Sequence, residues 1–297
     1  MKIGIVGPGA IGTFLAGVLG KHNEVDLLGR RPLDIETIEI SGKTRVETDI
    51  NYTDSISSLS DKKLIVICTK SFDTKEAVAS LSNHLSSKAL VLSLQNGLNN
   101  EGIISGFVGK ERTIGGITNN GVTYMEPGKV KHAGMGKTVI GLYPKGTSEE
   151  VEKIVRVFRN AGLETTLSEN ILVKLWEKAV INSGINPITA VLGIKNGVLI
   201  EDRYLTRLLE ETVRESAAVA ENYVDLDKKK VLDETKEVAR QTSENLSSML
   251  QDVKNESRTE VDQINGAIIE KALDKEVSTP VNKVLYKLVK GLENKYL

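Results

Sequence analysis

A lysine and two asparagines recur at helical spacing in the middle of the chain. Lys178, Asn182 and Asn186 are four residues apart within a mostly apolar stretch, residues 174–193. In a helix, this spacing puts the three side chains on one side, with a drift of about 40° per step. A buried ammonium is costly unless it is paired, and buried amides need hydrogen-bond partners, so the row must face solvent or a polar site. An ammonium in such a site could donate a proton to a developing alkoxide, and the amides could hold a polar substrate.

The surroundings of this row favour a site over a solvated surface. The flanking residues Trp176, Val180 and Ile181 predict burial. Asparagine is a poor choice for an exposed position in the middle of a helix. Asn186 also precedes Pro187, which removes a helix hydrogen bond and kinks the chain. Spacing alone leaves both interpretations open, because a single lysine is most often a surface residue.

A glycine-rich motif near the N-terminus predicts a dinucleotide-binding turn. The segment VGPGAIG follows an apolar strand and opens a helix, with the pattern G-x-G-x-x-G at Gly7, Gly9 and Gly12. The three glycines allow a tight turn, a close approach of backbone to a pyrophosphate, and helix–strand packing. The alternative is an ordinary glycine-rich turn, which the strand–turn–helix context disfavours. We therefore expect the cofactor to bind at Gly7, Pro8, Gly9, Ala10, Ile11 and Gly12.

The end of the second strand bears on which dinucleotide binds. An NAD site usually has an acidic residue there, about 20 residues after the glycines. Here the strand ends in LLGRR, with Asp26 inside it and Arg30 at its tip, whereas Asp34 comes only after Pro32. A guanidinium can grip a 2′-phosphate through two hydrogen bonds. We therefore predict NADP(H) as the cofactor; the alternative is a solvated basic loop.

The elements that position these residues fall into two parts. Up to about residue 168, short apolar strands alternate with helices, which is typical of a parallel α/β sheet. The predicted strands are 2–6, 24–28, 64–68 and 89–94, the predicted helices are 10–21, 74–85 and 148–162, and short antiparallel strands are expected between 113 and 143. After about residue 169 the periodicity is helical. We predict an N-terminal Rossmann-type domain, residues 1–168, that binds NADP, and an all-α C-terminal domain, residues 169–297, that binds substrate and carries the catalytic lysine.

The composition is that of an ordinary globular protein and excludes several kinds of site. Of the 297 residues, 40% are hydrophobic and 27% are charged, and the net charge of −1 gives no reason to expect a nucleic-acid or membrane-surface partner. The single cysteine, Cys68, excludes an internal disulfide and a cysteine-based zinc site, and the three histidines lack ligand spacing. The N-terminal residues lack a signal-peptide pattern and no apolar run has the length of a membrane span, so we predict a cytoplasmic protein.

Other ways of supplying a proton to a reduced carbonyl fit this chain less well. Tyr286 and Lys290 have the Tyr-x-x-x-Lys spacing of short-chain dehydrogenases, but they lie near the end of the chain and lack a matching upstream serine. A zinc-based mechanism lacks ligands. Lys178 is therefore the best candidate for the proton donor.

The chain resembles the ketopantoate reductase (2-dehydropantoate 2-reductase) family over nearly its full length. Six segments match motifs of that family in order: GPGAIG (7–12), CTKSF (68–72), QNGL (95–98), LWEKAVINSGINPITA (175–190), NGVL (196–199) and ENLSSMLQDVKNESRTEVDQINGAI (244–268). The fourth and sixth segments are the most specific. The resemblance implies a Rossmann-type domain followed by an all-α domain of the 6-phosphogluconate dehydrogenase C-terminal type. The implied reaction is the NADPH-dependent reduction of ketopantoate to pantoate, a precursor of pantothenate and coenzyme A.

The same resemblance assigns roles to individual residues. It makes Lys178 the proton donor and puts Glu260 where cofactor, substrate and Lys178 meet. The implied substrate-binding residues are Lys178, Asn182, Asn186, Asn196, Asn245 and Ser248. The implied cofactor contacts outside the glycine loop are Arg30, Lys70, Asn96, Glu260 and, by a looser match, Val122. We expect the charges of Glu260 and of the substrate carboxylate to outweigh desolvation and to keep Lys178 protonated in the reactive complex.

Several alternatives stay open at the level of the sequence. Ser257-x-x-Glu260 is also a capping box, so Glu260 could instead cap a helix. The enzyme could reduce another small 2-oxo acid or an imine, or the chain could be a redox-sensing NADP-binding protein without turnover, although a sensor needs no proton donor. The amphipathic helices of the second half fit a homodimer and a monomer equally well. The partners we expect are the cofactor and a small 2-oxo acid, without a metal ion.

Overall fold

The computed structural model describes the chain from Met1 to Leu297 and divides it into two compact units. The first, called here the α/β unit, comprises Met1–Gln95 and Asn100–Leu172. The second, called the helical unit, comprises Asn96–Asn99 and Val173–Leu297. The segment Asn96–Asn99 therefore belongs to the helical unit, although the chain on both sides of it belongs to the α/β unit. The assignment of NADP binding to residues 1–168 and of substrate binding to residues 169–297 stays a prediction.

Twelve strands and four helices form the α/β unit. The strands are β1 Lys2–Val6, β2 Glu24–Leu28, β3 Thr37–Gly42, β4 Val46–Asp49, β5 Asn51–Thr53, β6 Leu64–Ile67, β7 Leu90–Ser93, β8 Thr113–Thr118, β9 Gly121–Glu126, β10 Lys129–Gly134, β11 Thr138–Leu142 and β12 Thr165–Leu167. The helices are α1 Ala10–Gly20, α2 Thr74–Ser82, α3 Asn100–Val108 and α4 Glu149–Asn160. One of the short 3₁₀ segments, Ser71–Asp73, leads directly into α2.

Eight of these strands form one sheet in the order β12-β11-β8-β7-β6-β1-β2-β5. In its centre, β1 pairs in parallel with β2 on one side and with β6 on the other. Apart from Lys2, β1 and β6 are apolar and buried throughout, as expected for a parallel sheet that is covered on both faces. Parallel strands end at the same edge of a sheet, so the loops after β1, β2 and β6 share that edge. Those three loops carry the glycine motif, Arg30 and Lys70.

A second sheet, of order β4-β3-β10-β9, was not part of the predicted pattern. Between residues 113 and 143 the predicted antiparallel pairs are present, because β8 pairs with β11 and β9 pairs with β10 in that sense. However, β8 also pairs in parallel with β7, and β10 in parallel with β3. The antiparallel prediction is therefore incomplete, since the second neighbour of each strand comes from a distant part of the chain.

Helices α1 and α4 begin where local sequence signals place them. The backbone of Gly9 precedes α1, and no side chain caps that N-terminus. The hydroxyl of Ser148 accepts a hydrogen bond from the N–H of Val151 at 3.3 Å, so Ser148 caps α4. Gly162 follows α4 with φ +85°, a left-handed conformation that glycine adopts readily.

Helices make up the rest of the chain, and no strand follows β12. They are α5 Ile171–Leu192, α6 Val198–Glu201, α7 Arg203–Ala220, α8 Lys228–Gln241, α9 Ser248–Lys254, α10 Ala267–Asp274 and α11 Pro280–Glu293, with a π-helical turn at Asp262–Gly266. One hydrophobic cluster of this unit contains Ala190, Met249, Leu250, Val261, Ile264 and Val289. None of the helices is both long enough and apolar enough to cross a membrane.

Helix α5 continues through Pro187, and a side chain from the π-helical turn repairs the bond that this proline removes. Proline has no N–H, so the carbonyl of Ser183, four residues earlier, lacks its helical donor. Asn265 Nδ2 donates to that carbonyl oxygen at 3.0 Å and to Asn282 Oδ1 at 3.0 Å. Asn265 is fully buried. The turn that follows Glu260 is thereby tied to the middle of α5.

Candidate active site

Lys178 and Glu260 form the charged centre of the candidate site, and both belong to the helical unit. Lys178 is partly buried on α5, whereas Glu260 is buried, with 5% of its surface exposed. Burial lowers the pKa of Lys178 to about 8, and the negative charge of Glu260 partly opposes that shift. Without substrate, desolvation therefore outweighs the charge of Glu260. The expectation that charge outweighs desolvation concerns the reactive complex, in which the substrate carboxylate adds a second negative charge, and it stays a prediction. The pKa of this amine lies close to the pH at which a general acid works well.

The amide of Asn96 holds the carboxylate of Glu260. Asn96 Nδ2 donates to Glu260 Oε2 at 2.9 Å, although the two residues are 164 positions apart. The chain after Asn96 is fixed as well, because the N–H of Leu98 donates to the carbonyl oxygen of Gln263 at 2.9 Å. Gly97 between them has φ +86°, and a Cβ there would lie 2.5 Å from the same carbonyl oxygen. Asn96, a predicted cofactor contact, and Glu260, the predicted acidic residue of the site, are therefore hydrogen-bonded within the helical unit.

The capping-box interpretation of Glu260 does not hold in the structure. The hydroxyl of Ser257 donates to the carbonyl oxygen of Asn255 at 3.2 Å, and no helix starts at Ser257. The π-helical turn starts only at Asp262, preceded by Val261. The carboxylate of Glu260 is thus engaged with Asn96 and the charge of Lys178 and does not cap a helix.

The amides of the row on α5 extend from Lys178 towards α9. Asn182 is partly buried and Asn186 is buried, so the row does not face bulk solvent. One turn further, Thr189 Oγ1 donates to Ser247 Oγ at 2.7 Å. Ser247 caps α9, because its hydroxyl accepts from the N–H of Leu250 at 3.1 Å. This contact brings the first residue of α9, the exposed Ser248, to the Asn186 end of the row.

Asn196 and Asn245 are held next to each other by the backbone. The N–H of Asn196 donates to the carbonyl oxygen of Asn245 at 3.1 Å, and its Nδ2 donates to Thr242 Oγ1 at 2.9 Å. Asn196 Oδ1 is buried and accepts no hydrogen bond. A buried acceptor without a partner costs free energy, so this oxygen is an unsatisfied polar group beside Asn245. Asn245 itself is exposed.

The glycine loop fits a dinucleotide. A Cβ at Gly7 would lie 2.8 Å from the backbone nitrogen of Thr69, and one at Gly12 would lie 1.9 Å from the carbonyl oxygen of Gly7, so neither position admits a side chain. At Gly9, in contrast, a Cβ would meet nothing within 4 Å, so the backbone there is open to a ligand. The N-terminus of α1 begins at this point, and it favours phosphate groups. The residues of the loop therefore suit a pyrophosphate.

The other predicted cofactor contacts of the α/β unit lie around this loop, with one exception. Lys70 is partly buried in the loop after β6, immediately before the 3₁₀ turn. Arg30 is exposed in the loop after β2, and its Nη2 lies 2.6 Å from Asp73 Oδ2. Val122 is not in one of these loops but on β9 of the second sheet. Its contact with the cofactor stays a prediction.

Sequence reasoning missed residues that hold the predicted ones in place. The buried Gln95 donates through Nε2 to the carbonyl oxygen of Thr69 at 3.0 Å and to Thr74 Oγ1 at 2.8 Å, which joins the loops after β6 and β7. The signal was available in the QNGL motif, because a buried amide needs partners. Asp73 and Asn265 were missed for another reason: their partners, Arg30 and Ser183, are distant in the sequence.

The family models and the sequence relatives agree with each other. Two family models match the chain: "Ketopantoate reductase PanE/ApbA" at residues 3–145 and "Ketopantoate reductase PanE/ApbA C terminal" at residues 170–293. The 2-dehydropantoate 2-reductase of Pyrococcus abyssi is 41% identical over 299 residues, which cover 99% of this chain and 98% of that protein.

Solved structures of similar fold include two of particular interest. The crystal structure of a PanE/ApbA family ketopantoate reductase from Ralstonia eutropha superposes with a TM-score of 0.90 at 27% identity, covering 100% of this chain and 99% of that one. A D-mandelate dehydrogenase, in a ternary structure with NADH and anilino(oxo)acetate, gives a TM-score of 0.91 at 27% identity, with coverage of 100% and 99%.

Proposed function

Because the chain belongs to the ketopantoate reductase PanE/ApbA family, we propose that it reduces 2-dehydropantoate (ketopantoate) to pantoate with NADPH. The family and the two-part fold class predicted from the sequence are confirmed. Pantoate is a precursor of pantothenate and coenzyme A, so the enzyme acts in their biosynthesis. Use of a nicotinamide cofactor follows from the family, and the preference for NADPH is the finer part of the proposal.

One observation carries this assignment: Glu260 links Lys178 to Asn96. The carboxylate accepts a hydrogen bond from Asn96 at 2.9 Å and acts electrostatically on the amine of Lys178. By family resemblance, Asn96 contacts the cofactor and Lys178 contacts the substrate. A carboxylate between them supports a site in which both ligands meet.

The residues of the helical unit would act on the substrate as follows. When bound, the nicotinamide cofactor supplies a hydride to the carbonyl carbon. The ammonium of Lys178 stabilises the negative charge that develops on the carbonyl oxygen and donates a proton to it. Asn182, Asn186 and Ser248 bind and orient the carboxylate and hydroxyl groups of the substrate. Glu260 holds Lys178 in its charged form against the desolvation of the site.

The preference for NADPH rests on Arg30. Its guanidinium stands at the end of β2, where the ribose of the adenosine lies in Rossmann-type folds. No acidic residue of β2 competes at that tip, because Asp26 is inside the strand and bonded to Lys62 at 3.1 Å. An arginine at this place favours the 2′-phosphate by a charge-assisted hydrogen bond.

Steady-state kinetics of purified protein tests the reaction. We expect kcat/KM with NADPH to be higher for ketopantoate than for pyruvate or 2-oxoisovalerate. Lys178→Ala should lower kcat by about a hundredfold or more while the Kd of NADPH stays unchanged, because general acid catalysis contributes that much. Lys230→Ala, a lysine on the exposed side of α8, is the matched control and should keep full activity. A better 2-oxo acid substrate, or full activity of Lys178→Ala, would disprove the assignment.

The second candidate substrate is an aromatic 2-oxo acid. The observation that favours it is the close structural likeness to a D-mandelate dehydrogenase. The reduction would use Lys178 in the same way and would differ only in the side chain of the substrate. Including the 2-oxo acid that corresponds to mandelate in the same assay separates the two candidates, since the higher kcat/KM identifies the substrate.

A further inference from the structure

Arg30, the residue proposed to bind the 2′-phosphate, is paired with an acidic side chain. Its Nη2 lies 2.6 Å from Asp73 Oδ2. Arg30 follows β2 and Asp73 follows β6, so the ion pair joins the loops on both sides of β1 and its glycine motif. The arginine side chain is 68% exposed and the aspartate side chain 22% exposed. A ligand can therefore reach the guanidinium while the carboxylate stays largely fixed.

The carboxylate of Asp73 does not cap α2. Asp73 occupies the N-cap position of α2, where an aspartate side chain usually accepts a hydrogen bond from the first turn of the helix. Here the side chain makes no capping bond. It turns instead to Arg30.

The backbone that carries Arg30 is held independently of this pair. The N–H of Gly29 donates to the carbonyl oxygen of Thr53 at 2.9 Å, and the hydroxyl of Tyr52 donates to the carbonyl oxygen of Arg31 at 2.7 Å. A Cβ at Gly29 would lie 1.9 Å from that hydroxyl, so the loop packs closely on β5. Loss of the ion pair would free the guanidinium without displacing the loop.

We propose that Asp73 is a specificity-determining residue, which narrows the preference of the site for NADPH over NADH by competing with the 2′-phosphate for Arg30. The inference rests on the proposed cofactor role of Arg30. A phosphate must take the guanidinium from Asp73 and must accept a neighbouring negative charge, and both effects weaken its binding. An unphosphorylated ribose carries hydroxyl donors that a carboxylate can accept, so NADH does not meet this penalty.

Binding measurements without substrate test the inference. The Kd values of NADPH and NADH, and those of the fragments 2′,5′-ADP and 5′-AMP, are measured by calorimetry for the wild type and for Asp73→Asn. We expect Asp73→Asn to tighten NADPH and 2′,5′-ADP by about fivefold, in the range of exposed charge interactions, and to leave NADH and 5′-AMP unchanged or weaker. Because the charges are exposed, the gain should shrink at high salt.

Two further variants make the result specific. Glu76→Gln removes an exposed carboxylate three residues later on α2 that acts on Arg30 through its charge but makes no ion pair with it. It should change the NADPH to NADH affinity ratio clearly less than Asp73→Asn does, because only Asp73 is paired directly with the guanidinium. In an Arg30→Ala background, Asp73→Asn should lose most of its effect, because the guanidinium for which it competes is gone.

An unchanged affinity ratio in Asp73→Asn, or the same gain with and without Arg30, would overturn the inference while leaving the reaction intact. Arg30→Ala tests the underlying cofactor assignment on its own, since a ratio that does not move in that variant removes both. Ketopantoate turnover is a separate assay, and its failure would not alter the binding ratios.

Discussion

At Lys178, burial and charge act on the same amine in opposite directions. Burial lowers its pKa to about 8, and Glu260 limits that shift. Below this pH the amine is mainly an ammonium, the form that can donate a proton during reduction. Above it the amine is mainly neutral, the form that can accept a proton when the alcohol is oxidised. One side chain can therefore serve both directions of the reaction.

The pH dependence of catalysis follows from this pKa. We expect kcat/KM for reduction to fall as the pH rises through about 8, and kcat/KM for alcohol oxidation to rise over the same range. Because Glu260 raises the pKa of Lys178, the fall of kcat/KM for reduction should occur at lower pH in Glu260→Gln than in the wild type. Rate profiles of the wild type and the two variants Lys178→Ala and Glu260→Gln provide the check. If the residual activity of Lys178→Ala still falls as the pH rises through about 8, another group is responsible for this pH dependence.

Among the elements, α5 and the π-helical turn depend on each other through Pro187. A proline in the middle of a helix leaves a carbonyl without its donor, and here Asn265 supplies the missing hydrogen bond to Ser183 at 3.0 Å. Ser183 directly follows Asn182 on α5, and the turn that carries Asn265 comes shortly after Glu260. The proline thus leaves a carbonyl unpaired, and a side chain from the segment after Glu260 pairs it. This hydrogen bond fixes α5, which carries Lys178, to the segment that carries Glu260.

Paired substitutions test this relation. Asn265→Ala should lower the free energy of unfolding by about 1–3 kcal/mol, because it leaves a buried carbonyl without a partner. In that background, Pro187→Ala should restore part of the loss, since alanine returns the N–H that Ser183 lacks. Urea unfolding of the two single variants and the double variant gives the coupling. Simple additivity of the two changes would show that the amide of Asn265 does not replace the helical bond.

The elements that could be predicted are those whose signals are local. The strands 2–6 and 24–28 match β1 and β2, because a short, mostly apolar run bounded by turn residues is a local pattern. The second sheet could not be predicted in the same way, since the residues of β3 pair in parallel with residues of β10 that lie 90 positions later. Local patterns also placed Lys178, Asn182 and Asn186 on one helix, but not the Asn96 side chain that holds Glu260.

At the scale of the molecule, the chain passes from one compact unit to the other three times. It enters the helical unit at Asn96, leaves it after Asn99 and enters it again at Val173. Two hydrogen bonds hold the short segment Asn96–Asn99 in the helical unit, one from Asn96 to Glu260 and one from Leu98 to Gln263. The boundary near residue 169 that the sequence suggests describes only the last of these passages, because four residues are too few to show a change in periodicity.

Gly97 allows the segment Asn96–Asn99 to pack against the helical unit, and its substitution should lower the stability of the protein. Its φ of +86° strains any other residue, and an added Cβ would lie 2.5 Å from the carbonyl oxygen of Gln263. Gly162 is a matched control, because its φ is +85° but a Cβ there would meet nothing within 4 Å. We expect Gly162→Ala to cost about 1–2 kcal/mol of stability from the left-handed backbone alone, and Gly97→Ala to cost clearly more and to lower kcat/KM. Equal losses of stability in thermal unfolding, with kcat/KM retained, would show that the loop shifts freely.

The segment Asn96–Asn99 also limits how this protein can be recombined with its relatives. An exchange of everything after Leu172 would import a new helical unit but would leave the native Asn96–Asn99 segment to bond with foreign counterparts of Glu260 and Gln263. A gene chimera that keeps this unit whole needs three junctions, two of them only four codons apart. Inheritance of the two units as separate modules is correspondingly restricted, and a working hybrid requires that the four residues and the helices that hold them travel together.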